Sequence, residues 1–554
     1  MKRSPRPSRA AATVTALIRA GWLTALTMVP AASAVTKLNV VLIVCDDLSD
    51  YITGIPGESG HPQARTPHVD RFAATGVAFR RAYSNNPVCA PSRSSFLTGI
   101  HCHESGNLFW DKWFRNPVLK NSRTLMEHFR ANGYHVAGSG KLMHHFKRNV
   151  WTEFAHQADY GPLVYDGRNK IAHPSVPKPF GDGAIDGSFA SLADVPFTGD
   201  DNPESGWIYG GWGKTVKPFR YAGEDDRDPT PDERNAAWAA ERIRDLGSRR
   251  PSGKPFFLAV GFIRPHTPLH VPQKYFDRFP PESMWLPPIT DGDASDTHFA
   301  GVRGNDDKGF RYFKNLVASY PTQEEGLKAF SRAYLASVAA VDDCIGRVID
   351  AVDASPAKDH TIVVVTSDHG WQMGQKDYLF KNSPWEESTR IPFVIRAPGV
   401  TKAGGVAGHP VSLIDLYPTL VDLCGLKGDT RKNNRGAALS GHSVRPFLED
   451  PSGGTWNDPD GALTMVFSGG RSSLTSDRSR WNADLDRQHW TYRTRDWRYI
   501  RYANGKEELY NHVSDPRETT NVADDPKCQQ VKTLLRRKLE KARGIGHDGG
   551  TSAD

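Results

Sequence analysis

Residues 38–44 read LNVVLIV and run directly into Cys45-Asp46-Asp47. The run is continuously apolar but for Asn39, so it offers no solvent face. Such a segment is a strand covered on both sides, as strands of parallel sheets are. Three further runs share this character: Tyr134–Ala137, Phe256–Phe262 (FFLAVGF) and Thr361–Thr366 (TIVVVT). Helical patterns lie between them. Thr230-Pro231-Asp232-Glu233 combines a capping box with a proline at the first helical position, and Thr322–Glu325 opens a second helix running to about Asp353. Strands alternating with helices predict an α/β fold, with enough chain for one large unit and a smaller appendage.

Each strand is followed by groups that carry chemistry. Asp46-Asp47 follow the first, Gly140-Lys141 and His144 the second, Arg264-Pro265-His266 the third, and Ser367-Asp368-His369-Gly370 the fourth. In open parallel sheets, ligands bind beyond the carboxyl ends of the strands, so all four segments deliver polar groups to one edge. Taken singly, Asp46-Asp47 reads equally as a solvated turn, Lys141 as a surface charge, and either histidine as a structural one. Together they are hard to explain as decoration. Asp46, Asp47 and Asp368, converging with His369, would repel one another unless a cation sat among them. Oxygen-rich ligation favours Ca²⁺ or Mg²⁺ over zinc. Arg93, Lys141 and Lys381 form a cationic set suited to the non-bridging oxygens of a tetrahedral dianion or a sulfate ester. His144 and His266 are candidate donors to the ester or acids for its leaving group.

The stretch Asn86–Gly99 (NPVCAPSRSSFLTG) places Cys89 at the start of a short helix, Arg93 one turn on, and Gly99 as its stop. A helix N-terminus suits an anion, so by chemistry alone Cys89 could be an activated thiolate. The Cys-x-Pro-Ser-Arg core and its trailing Leu-Thr-Gly resemble the signature of type I sulfatases. The likeness extends to Asn39–Asp47 (NVVLIVCDD), Gly140–His144 (GKLMH), Ser367–Lys381 (SDHGWQMGQKDYLFK), Ile391–Gly399 (IPFVIRAPG), Ser412–Leu426 (SLIDLYPTLVDLCGL), Leu439–Leu448 (LSGHSVRPFL) and Glu508–Ala523 (ELYNHVSDPRETTNVA). Within that family the chain looks most like the iduronate-2-sulfatase type. This rests on Lys254–Pro268 (KPFFLAVGFIRPHTP), on the Asp368-His369-Gly370-Trp371 form of the metal segment, and on Leu108–Arg115 (LFWDKWFR).

The resemblance implies an alkaline-phosphatase-like fold: a mixed, mostly parallel sheet flanked by helices, with a smaller C-terminal α+β subdomain. It implies oxidation of Cys89 to formylglycine by a maturation enzyme, and one Ca²⁺, alternatively Mg²⁺, held by Asp46, Asp47, Asp368, His369 and the modified Cys89. Many sulfatases carry Asn where this chain has His369; the iduronate type also has His. Arg93 would hold the formylglycine hydrate, while Lys141, His144, His266 and Lys381 would contact the sulfate or the leaving oxygen. The implied activity is hydrolysis of a sulfated saccharide, resembling that on a 2-O-sulfated uronic acid. Trp110, Lys112 and Arg115 are candidates for stacking on the sugar and pairing with its carboxylate, against the plainer reading of an amphipathic surface helix. Choline or aryl sulfates, phosphate or phosphonate monoesters, and a silent glycan-binding protein with unmatured Cys89 remain alternatives.

Residues 1–34 read as an export signal: Lys2, Arg3, Arg6 and Arg9, an apolar run after Arg19, then Ala32-Ser33-Ala34. The apolar run is short for a membrane anchor. Removing its five basic residues from the formal +7 leaves +2, which gives no reason to expect a nucleic-acid partner. The mature chain is expected to be periplasmic or extracellular, with residues 35–450 catalytic, 451–545 a subdomain with a small antiparallel sheet, and 546–554 a flexible tail. Six cysteines stand singly, with no Cys-x-x-Cys; Cys344 and Cys424 read as core residues. Trp151–Arg227, rich in Gly, Pro, Asp and aromatics, is expected to form loops over the cleft.

Overall fold

The structure, a computed structural model, describes residues 37–544 apart from 56–59, 183–184, 197–205, 212–215, 250–252, 290–291, 305–306, 458 and 469–484. The expected leader and the 546–554 tail lie outside the described residues. The main sheet has eight strands: β1 (Asn39–Asp46), β2 (Val77–Phe79), β3 (His135–Gly140), β4 (Glu153–Phe154), β5 (Phe256–Pro265), β6 (Thr361–Ser367), β7 (Phe393–Arg396) and β8 (Gly405–Ala407). Their spatial order is β8-β2-β7-β6-β1-β5-β3-β4. Only β7 runs against its neighbours; the other pairs are parallel. The four strands legible in the sequence are thus four consecutive neighbours, β6-β1-β5-β3.

Continuous apolar character follows from two-sided cover. Val41, Ile43 and Cys45 of β1 join the core on one face, with Ala239, Ile243, Ala336 and Ile345. Val40, Leu42 and Val44 join the core on the other, with Phe96, Leu97, Leu125 and Leu420. Successive side chains of a strand point to opposite faces, so both registers must be apolar. Helix α1 (Cys89–Thr98) ends at Gly99 in the left-handed region, φ +71°. Helix α2 (Pro231–Ser248) carries the Thr230–Glu233 capping box with both hydrogen bonds formed. Helix α3 (Gln323–Asp353) starts at the Thr322 cap. Among the described residues no helix is long and apolar enough to cross a membrane. All six cysteines are free, five of them buried.

Trp151–Arg227 is more regular than loops. Beyond β4, it supplies a separate four-stranded antiparallel sheet and a strand, Phe189–Ser191, that pairs with Leu269–Val271. The aromatics that mark this stretch are its core: Trp207, Tyr209 and Phe219 pack on Val164 and Leu192.

A second antiparallel sheet, β9 (Gly461–Val466), β10 (His489–Thr494), β11 (Trp497–Arg501) and β12 (Glu507–Asn511), packs against helix α4 (Gln529–Ala542) through Leu535 and Leu539. Strand β9 backs the loop before Cys89, where Met465 N–H donates to the Asn85 carbonyl at 3.1 Å. A buried ion network joins this sheet to the segment after β6. Arg498 pairs with Glu386 and Glu518, Arg493 with Glu386 at 3.3 Å, and His512 lies 2.8 Å from Glu518. Burial alone would raise the Glu386 carboxyl, but Arg493, Arg498 and His512 hold it well below the ordinary range. Breaking a buried pair leaves an uncompensated charge, at a cost of about 3–5 kcal/mol. Arg498→Met is therefore expected to lower the unfolding free energy by that amount, read as a fall in the denaturant midpoint. The double variant Arg498→Met/Glu386→Gln should recover part of the loss; an unchanged midpoint in the single variant would show that the network is not a structural joint.

Candidate active site

The polar groups converge at the carboxyl edge because four strands end there. The β1–β5 register shifts between Val44 and Asp46, opposite Pro265. Asp47 then takes φ +62°, a left-handed conformation that aspartate tolerates better than most residues, and the chain turns out of the sheet. Its carbonyl accepts from the Tyr334 hydroxyl of α3 at 2.6 Å. At the end of β3, Gly140 has φ +80°, and a Cβ there would sit 2.0 Å from the Gly261 carbonyl oxygen. A side chain on Gly261 would in turn lie 1.9 Å from the Lys141 carbonyl. Two facing glycines thus let Lys141 leave the sheet toward β1.

Arg93, on α1 and fully buried, ties these ends together. Its Nε donates to Asp368 at 2.7 Å and its Nη2 to Asp46 at 3.3 Å. The same guanidinium donates to the carbonyls of Cys45 (3.3 Å), Leu142 (3.1 Å) and Lys141. Ser84 and Ser92 hydroxyls both donate to the Asp368 carbonyl, at 2.6 and 2.7 Å. In this arrangement Arg93 orients two of the carboxylates around Cys89.

Asp46, Asp47, Cys89, Arg93, Asp368 and His369 are all 0% exposed. The Cys89 Sγ lies 3.0 Å from Lys381 Nζ, 3.3 Å from His369 Nε2 and 3.9 Å from Asp47 Oδ1. Lys381 spans both Asp47 oxygens, at 2.8 and 3.0 Å; Lys141 pairs with Asp46; His266 Nε2 is 3.9 Å from Asp47. Asp46, Cys89, Asp368 and His369 each offer a donor atom within 4.8 Å of the others, and so do Asp46, Asp47, Cys89 and His266. Three dry carboxylates and an imidazole fit a hard divalent cation of the Ca²⁺ or Mg²⁺ type.

Burial would raise Asp46, but Lys141, His266 and Arg93 hold it well below the ordinary carboxylate range. Burial wins at Asp47, which is pushed up to about 8 in spite of Lys381 and His369. Burial, then Asp46, raises the Cys89 thiol. Burial and the neighbouring lysines push His266 well down and His144 to about 2, so both are neutral imidazoles at neutral pH. His144 Nδ1 is buried without a partner.

A cavity of about 860 Å³ opens above this cluster. His144, His266 and Lys381 line it, together with Trp110, which is 43% exposed and lies 4.7 Å from the His144 ring. Lys112 and Arg115 do not line it; both are exposed, Lys112 just before and Arg115 at the end of a 3₁₀ turn, Trp113–Arg115, whose Trp113 is buried. The expected segment therefore contributes one aromatic ring to the cavity and neither of its cations. The sequence reading missed Tyr160, whose ring sits 5.0 Å from the Lys141 ammonium and 5.1 Å from His266. It also missed Asp186, Lys308, Arg311, Tyr312 and Phe380 in the lining. The aromatic richness of Trp151–Arg227 was a signal for Tyr160; the cations at 308 and 311 lay in no recognisable motif.

Comparison with known proteins agrees with this architecture. The Sulfatase family model matches residues 38–426. The chain is 32% identical over 515 residues to a sulfatase of Formosa agariphila, covering 90% of this chain and 87% of that one. It is 26% identical over 554 residues to iduronate 2-sulfatase of Mus musculus, covering 89% and 92%. The fold matches the phosphonate monoester hydrolase of Agrobacterium radiobacter with TM-score 0.64 at 23% identity, over 92% and 96% of the two chains. A family match spanning most of the chain, and a relative this similar over nearly its full length, establish that the chain belongs to the sulfatase family.

Proposed function

We propose that this protein releases inorganic sulfate from a sulfated saccharide, a 2-O-sulfated uronic acid being the favoured substrate, after export and maturation of Cys89 to formylglycine. The observation that carries the reading is the meeting of three buried carboxylates, His369 and Cys89 beneath a cavity lined by His144, His266 and Lys381. The oxygen-rich donor set would hold one divalent cation, Ca²⁺ in preference to Mg²⁺, through Asp46, Asp47, Asp368, His369 and residue 89. That cation and the hydrated aldehyde supply, when present, a nucleophilic oxygen at neutral pH and Lewis-acid polarisation of the ester.

The chain's own residues do the rest. Lys141 and Lys381 keep their charge beside Asp46 and Asp47, so both can donate to the oxygens of a sulfuryl group as negative charge builds there. Arg93 fixes Asp46 and Asp368 and prevents either from turning away. His266, neutral, can offer a hydrogen bond, and the unpartnered Nδ1 of His144 supports a role for it toward the leaving oxygen. The uronate preference draws support from the likeness to iduronate 2-sulfatase over most of both chains. The fold shared with a phosphonate monoester hydrolase favours one competing reading, that phosphonate or phosphate monoesters are the substrates. Comparing sulfate and phosphate esters of one alcohol decides between them.

Two outcomes are expected. Mass spectrometry of the Cys89 peptide from active protein should show aldehyde in place of thiol, and Cys89→Ser should lower turnover by at least about a thousandfold; full activity with an intact thiol would refute the assignment. Exhaustive chelation should abolish activity, and Ca²⁺ or Mg²⁺ should restore it. The same addition should raise the melting temperature, since a ligand at a hundred times its Kd adds about 2.7 kcal/mol to folding. Normal turnover by metal-free protein would show the carboxylates to be structural.

A further inference from the structure

The cavity above Cys89 has cations that the sulfate chemistry does not use. Helix Lys308–Ala318 presents Lys308 and Arg311 to it, three residues apart and so on one face. Lys308 is held in place. It pairs with Asp186, whose other oxygen accepts from the Thr267 hydroxyl at 3.3 Å, next to His266. Its ammonium also lies 4.3 Å from the Phe380 ring centre and 5.1 Å from that of Tyr312. The Lys381 ammonium lies 5.8 Å from the centre of the same Phe380 ring, so the two cations share one aromatic neighbour. About a third of the Lys308 side chain is exposed, and Lys308 lines the cavity.

We propose that Lys308 and Arg311 form a subsite for a second anionic group on the sugar, distinct from the ester that is cleaved. The inference rests on the saccharide reading above and deepens it. Lys308 is pre-ordered by Asp186 and two ring faces, so a ligand loses little entropy in engaging it. Arg311 adds a planar fork that suits a carboxylate or a sulfate. The nearby rings of Tyr312 and Phe380 offer apolar surface to the face of a pyranose. Asp186 balances Lys308 when the subsite is empty and can accept a sugar hydroxyl when it is filled. A ring carboxylate and a second sulfate ester share this chemistry.

The test compares four ligands: a uronate 2-sulfate glycoside, its carboxyl methyl ester, a hexosamine disulfate and the matched monosulfate. The wild type should prefer the free acid over the methyl ester, or the disulfate over the matched monosulfate. Lys308→Ala and Arg311→Ala should each shrink that preference about tenfold to a hundredfold, chiefly through KM, as expected for a lost hydrogen bond to a charged group. Lys308→Arg should retain most of it. Calorimetric binding of the same ligands to the Cys89→Ser protein gives a readout independent of turnover. If no sulfate ester is cleaved but binding still discriminates acid from methyl ester through Lys308, the reaction assignment fails and the subsite stands. If sulfate esters are cleaved and the double variant Lys308→Ala/Arg311→Ala keeps the full preference in both assays, the subsite is refuted.

Discussion

Three carboxylates in a dry pocket are tolerable only if opposite charge is built in beside them, and Arg93 is where the fold meets that requirement. An unpaired buried carboxylate would neutralise itself or unfold the site, since its desolvation exceeds what weak hydrogen bonds return. Arg93 reaches Asp46 from β1 and Asp368 from the end of β6, and its remaining donors go to carbonyls of β1 and of the turn after β3. One side chain therefore sets the spacing of three strand ends. The position of α1 follows, because Arg93 must enter the sheet edge from a helix whose first residue is Cys89. Lys141 and Lys381 complete the neutralisation on Asp46 and Asp47. That leaves Asp47 as the group on which burial prevails, and a divalent cation would relieve it.

The sheet and the chemical residues were legible because their constraints are local. A strand covered on both faces needs apolar residues in both registers, and LNVVLIV and TIVVVT show that need directly. Thr230 and Thr322 mark helix starts because the unsatisfied N–H groups of a first turn select such residues. Cys89, Arg93, Lys141 and Asp368 follow strands or open a helix, so their convergence could be read from order alone. The strands β2, β7 and β8 were not legible: they are three or four residues long, and long-range pairing rather than internal pattern makes them strands.

The outer cavity was illegible for a different reason. Its walls come from segments far apart in sequence: Trp110, Tyr160, Asp186, Lys308 and Phe380. Nothing in the spacing of lysines and arginines distinguishes Lys308, which faces the cavity, from Lys112, which faces solvent. Leu108–Arg115 misled because its alternating aromatics and cations resemble a binding strip; folded, the segment buries Trp113, and its cations face outward. Pattern reports amphipathicity, whereas only tertiary contact decides which cation meets a ligand.

This contrast divides the molecule by function. The groups assigned to sulfur chemistry stand on strand ends and on α1, backed by two apolar cores and by β9 behind the Cys89 loop. The groups assigned to the sugar stand on the Trp151–Arg227 insertion and on the Lys308 helix, joined by Lys308–Asp186 and by the Phe180 N–H, which donates to the Ser319 hydroxyl at 2.9 Å. A change in the insertion can reshape the cavity without moving Asp46, Asp368 or Arg93, because no strand of the central sheet passes through the Asp186 turn. A change at Arg93 disturbs three strand ends at once. The proposed sugar subsite can therefore change with its own segments alone, whereas the buried charge cluster cannot lose a member without the cost of leaving a carboxylate without a partner.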